Sequence, residues 1–218
     1  MLELIGHPFS SYTWKALIPL YEKDADFTFR TTGPDQPETM ELLHGHWPLN
    51  KFPVLIDDGR PLIEATIVAE YVDRKFPSAP HLIPEDPDAA LDVRFMDRVF
   101  DNHVMGVSFV AVEEAIFNSA APSQDRIARM KASLDTIYDW LDQRMDGRTW
   151  ACGEDFTLAD CAAAPALFYA DWVYEFGPSR PNLSAYRARL LKRPSVSRCV
   201  EGARPYRSFF PLGAPARD

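Results

Sequence analysis

The sequence predicts an α/β unit at the start of the chain and an all-helical unit after it, and three observations support this. Strand-like and helix-like segments alternate up to residue 76, four prolines fall within residues 76–87, and only helical patterns follow residue 88. Proline lacks a backbone donor and interrupts both helices and sheets. We therefore interpret residues 77–87 as a linker between a first domain, residues 1–76, and a second domain, residues 88–218.

The first domain is predicted to follow the order βαβαββα. Apolar runs and alternation indicate strands, apolar spacings of three and four indicate helices, and Asp58-Gly59 between two apolar runs indicates a hairpin turn. The expected elements are strand 2–5, helix 11–23, strand 26–31, helix 37–45, two strands within 53–63, and helix 64–76. This order implies a small mixed sheet with helices packed on it.

The second domain is expected to begin with a single helix of about 30 residues over 88–118. The helices expected after it are 123–145, one that begins at Thr157, 182–192 and 195–203. Thr157 and Asp160 have the spacing of a capping box, with Phe156 and Cys161 at the flanking hydrophobic positions. This motif indicates where a helix begins and gives no information about a substrate. Pro165 is expected to kink that helix.

Composition excludes several classes of protein. The 218 residues carry a net charge of −9, whereas a nucleic-acid surface needs clustered positive charge. The sequence has no apolar run of about 18 residues, so we expect no membrane span. The first residues lack the pattern of a signal peptide, and the cytoplasm is therefore the expected location.

Metal and thiol chemistry are not expected either. Cys152, Cys161 and Cys199 lie far apart and form no C-x-x-C pair, so we interpret them as free, buried thiols. His44 and His46 have no third ligand in their segment, and no metal site is predicted from them.

Two adjacent hydroxyls, Ser10 and Ser11, stand between the first predicted strand and the first predicted helix. A serine in this place satisfies a free N–H of the first helical turn, which makes helix capping the simplest interpretation. The same place also suits an incoming anion, because the N–H groups and the helix dipole favour negative charge. This stretch by itself leaves both interpretations open.

Four segments, in their order and separation, resemble the soluble glutathione transferases over nearly the whole chain. They are PFSSYTWKA (8–16), NKFPVLID (50–57), PLIEAT (61–66) and FTLADC (156–161). The resemblance implies a thioredoxin-like first domain that binds glutathione as co-substrate, and a helical domain that supplies most of the pocket for the second substrate. It also implies a homodimer, with the first domain of one chain against the helical domain of the other.

The resemblance assigns glutathione contacts to five residues in two loops. Lys51 matches the partner of the glycyl carboxylate, and a cis Pro53 exposes the Phe52 backbone to the cysteinyl part. Glu64 matches the residue that holds the γ-glutamyl end, and Ala65 stands where the family normally has a serine. The lost hydroxyl is worth about 1.5–3 kcal/mol, although the backbone N–H at the helix start remains.

Simpler interpretations of the same residues stay open. Pro53 in the trans form would merely open a strand, Glu64 would complement the helix dipole, and Lys51 would be a solvated surface side chain.

The serines are most similar to those of the zeta class, in which two serines precede a tryptophan and a basic residue. This alignment makes Ser10 the hydroxyl that stabilises the glutathione thiolate, with Ser11 as support and as the helix cap. Tyr12 stands where the zeta pattern has cysteine, which argues against isomerase chemistry and makes Tyr12 a second candidate donor. One hydroxyl would lower the thiol pKa from near 8.5 by roughly one to two units.

The expected reaction is attack of the thiolate on a small, hydrophobic electrophile. Its pocket is expected between the domains, lined by Phe9, Met105, Phe109 and Trp172. Two alternatives remain at this point: a non-catalytic module that binds a ligand or a partner, favoured by Ala65, and a glutathione-dependent isomerase. Ser10, Lys51, Pro53 and Glu64 together favour the transferase.

Overall fold

The computed structural model describes residues 1–78 and 80–218, and its first part contains a four-stranded sheet with three helices. Residue 79, which belongs to the predicted linker, lies outside the described residues. The elements of this part are β1 (Leu2–Gly6), α1 (Ser11–Glu22), β2 (Thr28–Thr31), α2 (Pro37–His46), β3 (Val54–Asp57), β4 (Arg60–Ile63) and α3 (Ala65–Lys75). The predicted order βαβαββα is confirmed.

The sheet has the strand order β2-β1-β3-β4. β1 pairs in parallel with β2, because the intervening α1 returns the chain to the same edge, and the other two pairings are antiparallel. Asp58 and Gly59 both have positive φ, 47° and 85°, as the hairpin turn requires. One face of the sheet packs under α1 and α3, and on the other face Leu43 of α2 packs against Ile5, Val54 and Ile56.

The second part is helical, and its first helix differs from the prediction. The helices are α4 (Pro87–Arg98), α5 (Gly106–Phe117), α6 (Gln124–Arg144), α7 (Leu158–Val173), α8 (Pro181–Leu191) and α9 (Pro194–Ala203), with a 3₁₀ turn over Arg204–Phe209. The chain is helical over nearly all of the expected range 88–118, but it does not form a single α-helix, because a π-helical segment, Val99–Met105, separates α4 from α5.

Glycine suits the end of this π-helical segment. The Gly106 N–H donates to the Asp101 carbonyl five residues earlier, and a Cβ atom at Gly106 would lie 3.2 Å from that oxygen.

The start of α7 follows the capping prediction. Thr157 is the N-cap, and its N–H donates to the Asp160 carboxylate at 2.8 Å. That carboxylate is fully buried and also accepts from the Ala151 N–H (2.9 Å) and the Tyr186 hydroxyl (2.6 Å). Burial raises the pKa of Asp160, and these donors oppose that rise. The motif is therefore a structural joint between α7, α8 and the loop before α7.

The two parts share one continuous hydrophobic core. Trp14 of α1 packs on Phe168 and Tyr169 of α7, with ring centroids 4.9 and 5.5 Å apart. Leu82, within the predicted linker, is fully buried in the same core, and its carbonyl accepts from the Leu158 N–H. The domain bounds 1–76 and 88–218 stay a prediction.

No helix within residues 1–78 and 80–218 combines the length and the apolar character that crossing a bilayer requires.

Candidate active site

The turn between β1 and α1 holds the two serines in a fixed geometry. The Ser10 N–H donates to the His7 carbonyl at 2.9 Å, and the Phe9 N–H donates to His7 Nδ1 at 3.1 Å. From the second part of the chain, the Tyr169 hydroxyl of α7 donates to the Phe9 carbonyl at 2.8 Å. Hydrogen bonds within the turn, together with one from α7, therefore fix its conformation.

Ser10, and not Ser11, caps α1, which corrects the sequence-based division of roles. Ser10 has extended backbone angles, and its Oγ accepts from the Thr13 N–H at 3.3 Å. Ser11 is already the first helical residue, one position past the cap. Because a hydroxyl has two acceptor lone pairs and one proton, capping leaves the Ser10 proton free to donate to a ligand.

A polar cavity of about 270 Å³ lies beside this turn, and it brings together the five residues assigned to glutathione. Its lining comprises Tyr12, Trp47, Lys51, Phe52, Pro53, Ile63, Glu64, Ala65, Arg98, Asp101 and Asn102. The first eight come from the sheet part, and the last three come from α4 and the π-helical segment. The wall thus carries two cations, Lys51 and Arg98, and two carboxylates, Glu64 and Asp101. Charges of both signs suit a small peptide that has an ammonium group and more than one carboxylate.

The backbone has unusual conformations at two places in this cavity. The Phe52–Pro53 peptide bond is cis, as predicted. Glu64 precedes α3 with φ 74° and ψ 121°, a strained conformation for a residue with a side chain. Its side chain does not cap α3, so the carboxylate remains available to a ligand, and the first N–H groups of α3 remain without a side-chain cap.

A buried ionic cluster joins the two parts of the chain beneath the polar cavity. Lys15 of α1 is fully buried, and its Nζ lies 2.5 Å from Asp97 and 2.6 Å from Asp101. Thr66 of α3 accepts from the same Nζ at 2.8 Å. Because loss of Lys15 would leave two carboxylates without their buried cation, this cluster holds α1 and α3 against α4 and the π-helical segment.

An apolar cavity of about 460 Å³ adjoins the polar one, and Tyr12 and Phe52 line both. Its lining contains Phe9, Ser10, Ser11, Tyr12, Phe52, Met105, Gly106, Phe109, Val112, Ile116, Tyr169, Val173, Phe209, Phe210 and Pro211. None of these residues is charged. The two serines therefore lie on the apolar side of the junction between the cavities.

Three of the four residues predicted to contact a second substrate line the apolar cavity, and the fourth does not. Phe9, Met105 and Phe109 lie on the wall of the apolar cavity. Trp172 does not line it: the indole is buried behind the wall, with its ring centroid 5.3 Å from Phe210 and 6.4 Å from Phe9. Trp172 therefore supports the wall.

Tyr12 lies where the two cavities meet, so its hydroxyl is accessible to a ligand in either one. Burial, followed by the Asp101 carboxylate, raises the pKa of the Tyr12 phenol, so the neutral hydroxyl is the form present near pH 7.

Several residues of both cavities carry no signal in the sequence. Arg98, Asp101 and Asn102 fall within a helical pattern, and Phe209 and Phe210 lie near the C-terminus, far along the chain from the serines. Their placement depends on how α4 and the C-terminal turn pack on the first part. Within the described residues, no group of three or more His, Cys, Asp or Glu side chains is arranged to hold a metal ion.

Comparison with known proteins identifies the family. The family model for the N-terminal domain of glutathione S-transferases matches residues 4–80, and the model for their C-terminal domain matches residues 124–189. Glutathione S-transferase U25 of Arabidopsis thaliana is 26% identical over 93% of this chain and 90% of its own length.

Solved structures agree with this result. A glutathione S-transferase of Methylobacillus flagellatus, crystallised with glutathione bound, has a TM-score of 0.81 and 29% identity, over 91% of this chain and 98% of its own. Glutathione transferase F7 of Populus trichocarpa shares the fold, with a TM-score of 0.80 and 21% identity over 93% of this chain and 99% of its own. The chain therefore belongs to the glutathione S-transferase family, whose enzymes use glutathione as co-substrate.

Proposed function

We propose that the polar cavity binds glutathione and that the adjoining apolar cavity binds an uncharged, hydrophobic electrophile. The observation that carries this proposal is the junction of the two cavities at Tyr12 and Phe52, with Ser10 and Ser11 beside it. Lys51 would pair with the glycyl carboxylate and the Phe52 backbone with the cysteinyl part. Glu64 and the Ala65 N–H would hold the γ-glutamyl end. The thiol would then lie next to both the serines and the second substrate.

Ser10 is the proposed thiolate donor, which makes the enzyme a serine-type transferase. Its Oγ already accepts from the Thr13 N–H, so the remaining O–H bond is polarised and points its proton elsewhere. A hydrogen bond to an anion is worth about 1.5–3 kcal/mol, which lowers the thiol pKa from about 8.5 by one to two units. The thiolate would then be abundant near neutral pH and would attack the electrophile, expelling a leaving group or adding to an activated alkene or epoxide.

The lining of the apolar cavity favours an uncharged electrophile. Its fifteen described residues include no charged side chain. Burying a carboxylate there without a partner would be costly. We expect the enzyme to prefer an uncharged aromatic or aliphatic electrophile over a carboxylated analogue of the same reactivity.

Two measurements test this proposal. Calorimetry with glutathione is expected to show binding to a single site per chain. Conjugation of an uncharged aryl halide is expected to have a kcat/KM at least about tenfold higher than that of its carboxylated analogue. A chain that neither binds glutathione nor forms the conjugate would overturn the proposal.

Two phenylalanines of α5 provide a matched pair of variants. Phe109 lines the apolar cavity, whereas Phe117, eight residues later and 78% exposed, does not. Phe109→Ala is expected to raise KM for the aryl halide several-fold without changing glutathione affinity, and Phe117→Ala to change neither. If the two variants changed KM for the aryl halide equally, the apolar cavity would not be the binding site of the second substrate.

We also propose that the enzyme is a homodimer. Four large apolar side chains on α3, α4 and α6 are at least one third exposed: Ile67 (52%), Leu91 (66%), Phe95 (49%) and Trp140 (37%). Phe95 and Trp140 stack edge to face at 6.2 Å, and the Glu70–Arg94 ion pair joins α3 to α4 beside them. Exposed apolar surface of this kind is typical of an interface, and it includes both parts of the chain.

A further inference from the structure

The polar cavity contains a guanidinium that no sequence motif indicated, that of Arg98. Arg98 is the last residue of α4, and its side chain is 48% exposed. It reaches across to α3, where its Nη2 donates to the hydroxyl of Thr66, the residue that follows Ala65. The positive charge of Arg98 therefore lies beside the N-terminus of α3.

The guanidinium is held on one side and free on the other. Its Nε donates to Asp97 Oδ2 at 2.9 Å, and its Nη2 donates to Asp101 Oδ2 at 2.6 Å. Because the group is planar and its donors form a rigid fork, fixing two nitrogens also fixes the third. Nη1 makes no hydrogen bond to any residue within 1–78 and 80–218. Its two protons are available to a ligand in the cavity that Arg98 lines.

The N-terminus of α3 needs such a group. Ala65, the first residue of α3, contributes no side-chain donor, and Glu64 does not cap the helix. An anion at this place would meet only backbone N–H groups and the helix dipole. The Nη1 of a neighbouring guanidinium adds two N–H donors for charge-assisted hydrogen bonds to such an anion.

We propose that Arg98 Nη1 binds the α-carboxylate of the γ-glutamyl residue of glutathione. The inference rests on the proposed function, which places that end of the peptide at Glu64 and Ala65. Arg98 and Lys51 then supply one cation for each of the two carboxylates of glutathione, and Glu64 faces the ammonium group. The chain thereby recognises the γ-glutamyl carboxylate with a side chain from the helical part, where the residue at position 65 of the first part provides none.

Calorimetry with two ligands tests this contact. The first is glutathione, and the second is 4-aminobutyryl-cysteinyl-glycine, which differs only in lacking the α-carboxylate. The unaltered protein is expected to bind glutathione about ten- to a hundredfold more tightly than the second ligand. Arg98→Met is expected to bind glutathione as weakly as the unaltered protein binds the second ligand, and to leave affinity for the second ligand unchanged.

Arg94→Met is the matched control, because Arg94 lies one turn earlier on α4, pairs with Glu70 at 3.0 Å and does not line the cavity. It is expected to leave the ratio of the two affinities unchanged. If Arg98→Met does not fold, Arg98→Lys replaces it. Lysine has one nitrogen in place of the three of the planar guanidinium, so an ammonium that pairs with Asp97 and Asp101 does not reach the position of Nη1, and the ratio of the two affinities is again expected to fall.

Three results separate failure of this inference from failure of the proposed function. Equal affinity of the unaltered protein for both ligands overturns the Arg98 contact. The contact is also overturned if Arg98→Met or Arg98→Lys leaves the ratio of the two affinities unchanged, because Arg98 would then interact only with Asp97 and Asp101. Absence of glutathione binding to the unaltered protein overturns the proposed function itself.

Discussion

At the scale of single residues, Ser10 holds the helix-capping role that the sequence analysis assigned to Ser11, and it is also the proposed thiolate donor. Its Oγ accepts from the Thr13 N–H as the helix cap, and its proton remains available for the glutathione sulfur. The two roles can be measured separately, because glycine is nearly as good an N-cap as serine, whereas alanine is not.

Substitution of Ser10 is therefore expected to have two separable effects. Ser10→Ala should lower the free energy of unfolding by about 1 kcal/mol and raise the pKa of the bound thiol by about one to two units. Ser10→Gly should raise the thiol pKa equally but cost only a few tenths of a kcal/mol in stability. Thiolate absorbance as a function of pH and chemical denaturation measure the two quantities.

Ser11→Ala is the control, because Ser11 also lines the apolar cavity but does not cap the helix. It should change stability by less than about 0.5 kcal/mol and leave the thiol pKa unchanged. A shift of the thiol pKa in Ser11→Ala, but not in the Ser10 variants, would transfer the donor role to Ser11.

At the scale of elements, the π-helical segment shapes the site. It supplies Asp101 and Asn102 to the polar cavity and Met105 to the apolar cavity. π-Helical turns are frequent at functional sites, because the wider turn changes which side chains face a neighbour. The apolar pattern over 88–118 is close to that of an ordinary helix, so the sequence does not indicate the wider turn, which the hydrogen bond from the Gly106 N–H to the Asp101 carbonyl defines.

A second element-scale feature is the junction between α5 and α6, which depends on the buried Glu114 carboxylate. Glu114 accepts from the Ser123 N–H at 2.7 Å, from Asn118 Nδ2 at 3.1 Å and from the Arg126 guanidinium. The Ser123 N–H, together with Asn118 and Arg126, holds the pKa of Glu114 below its usual range. The ionised carboxylate therefore favours the folded chain.

Glu114→Gln is expected to lower the melting temperature at pH 7. A carboxyl whose pKa is depressed on folding stabilises the protein above its unfolded pKa, near 4.3, and this contribution is lost as the pH falls through the folded value. The difference from the unaltered protein should therefore narrow below about pH 4. Melting curves between pH 7 and pH 3 measure it.

Glu113→Gln is the matched control for Glu114. Its carboxylate is 41% exposed and also contacts Arg126, at 3.1 Å, so an effect within about 0.5 kcal/mol is expected. Equal effects of the two variants, or a difference for Glu114→Gln that does not change with pH, would contradict this account of the junction.

At the scale of the whole molecule, the exposed apolar residues on α3, α4 and α6 bear on assembly. Light scattering at micromolar concentration is expected to give twice the 24.7 kDa mass of the chain. Phe95→Glu places a charge in the proposed interface and is expected to give the monomer mass with an unchanged circular dichroism spectrum. A monomer mass for the unaltered protein would refute the proposed dimer.

Phe117→Glu provides the control for this experiment. Phe117 is more exposed than Phe95 but lies at the end of α5, outside the four proposed interface residues. The variant should remain dimeric. If it dissociates while Phe95→Glu does not, the interface lies on another face of the molecule.

The sequence by itself determined the features that depend on neighbours along the chain. Alternation and helical spacing predicted the order of the elements, Asp58-Gly59 predicted the hairpin, and Thr157 with Asp160 predicted the start of α7, because each involves residues a few positions apart. The cis bond before Pro53 and the grouping of Lys51, Phe52, Glu64 and Ala65 were expected from the family resemblance instead.

Only the tertiary structure decided which distant groups meet. Lys15 and Asp101 are 86 positions apart, yet they form one buried ion pair beneath the polar cavity. The same packing brings Arg98 beside Thr66 and places Trp172 behind the wall of the apolar cavity rather than on it. Such contacts follow from the packing of α1 against α3 and α7. No local pattern encodes them, because each depends on how elements that are distant in the sequence pack together.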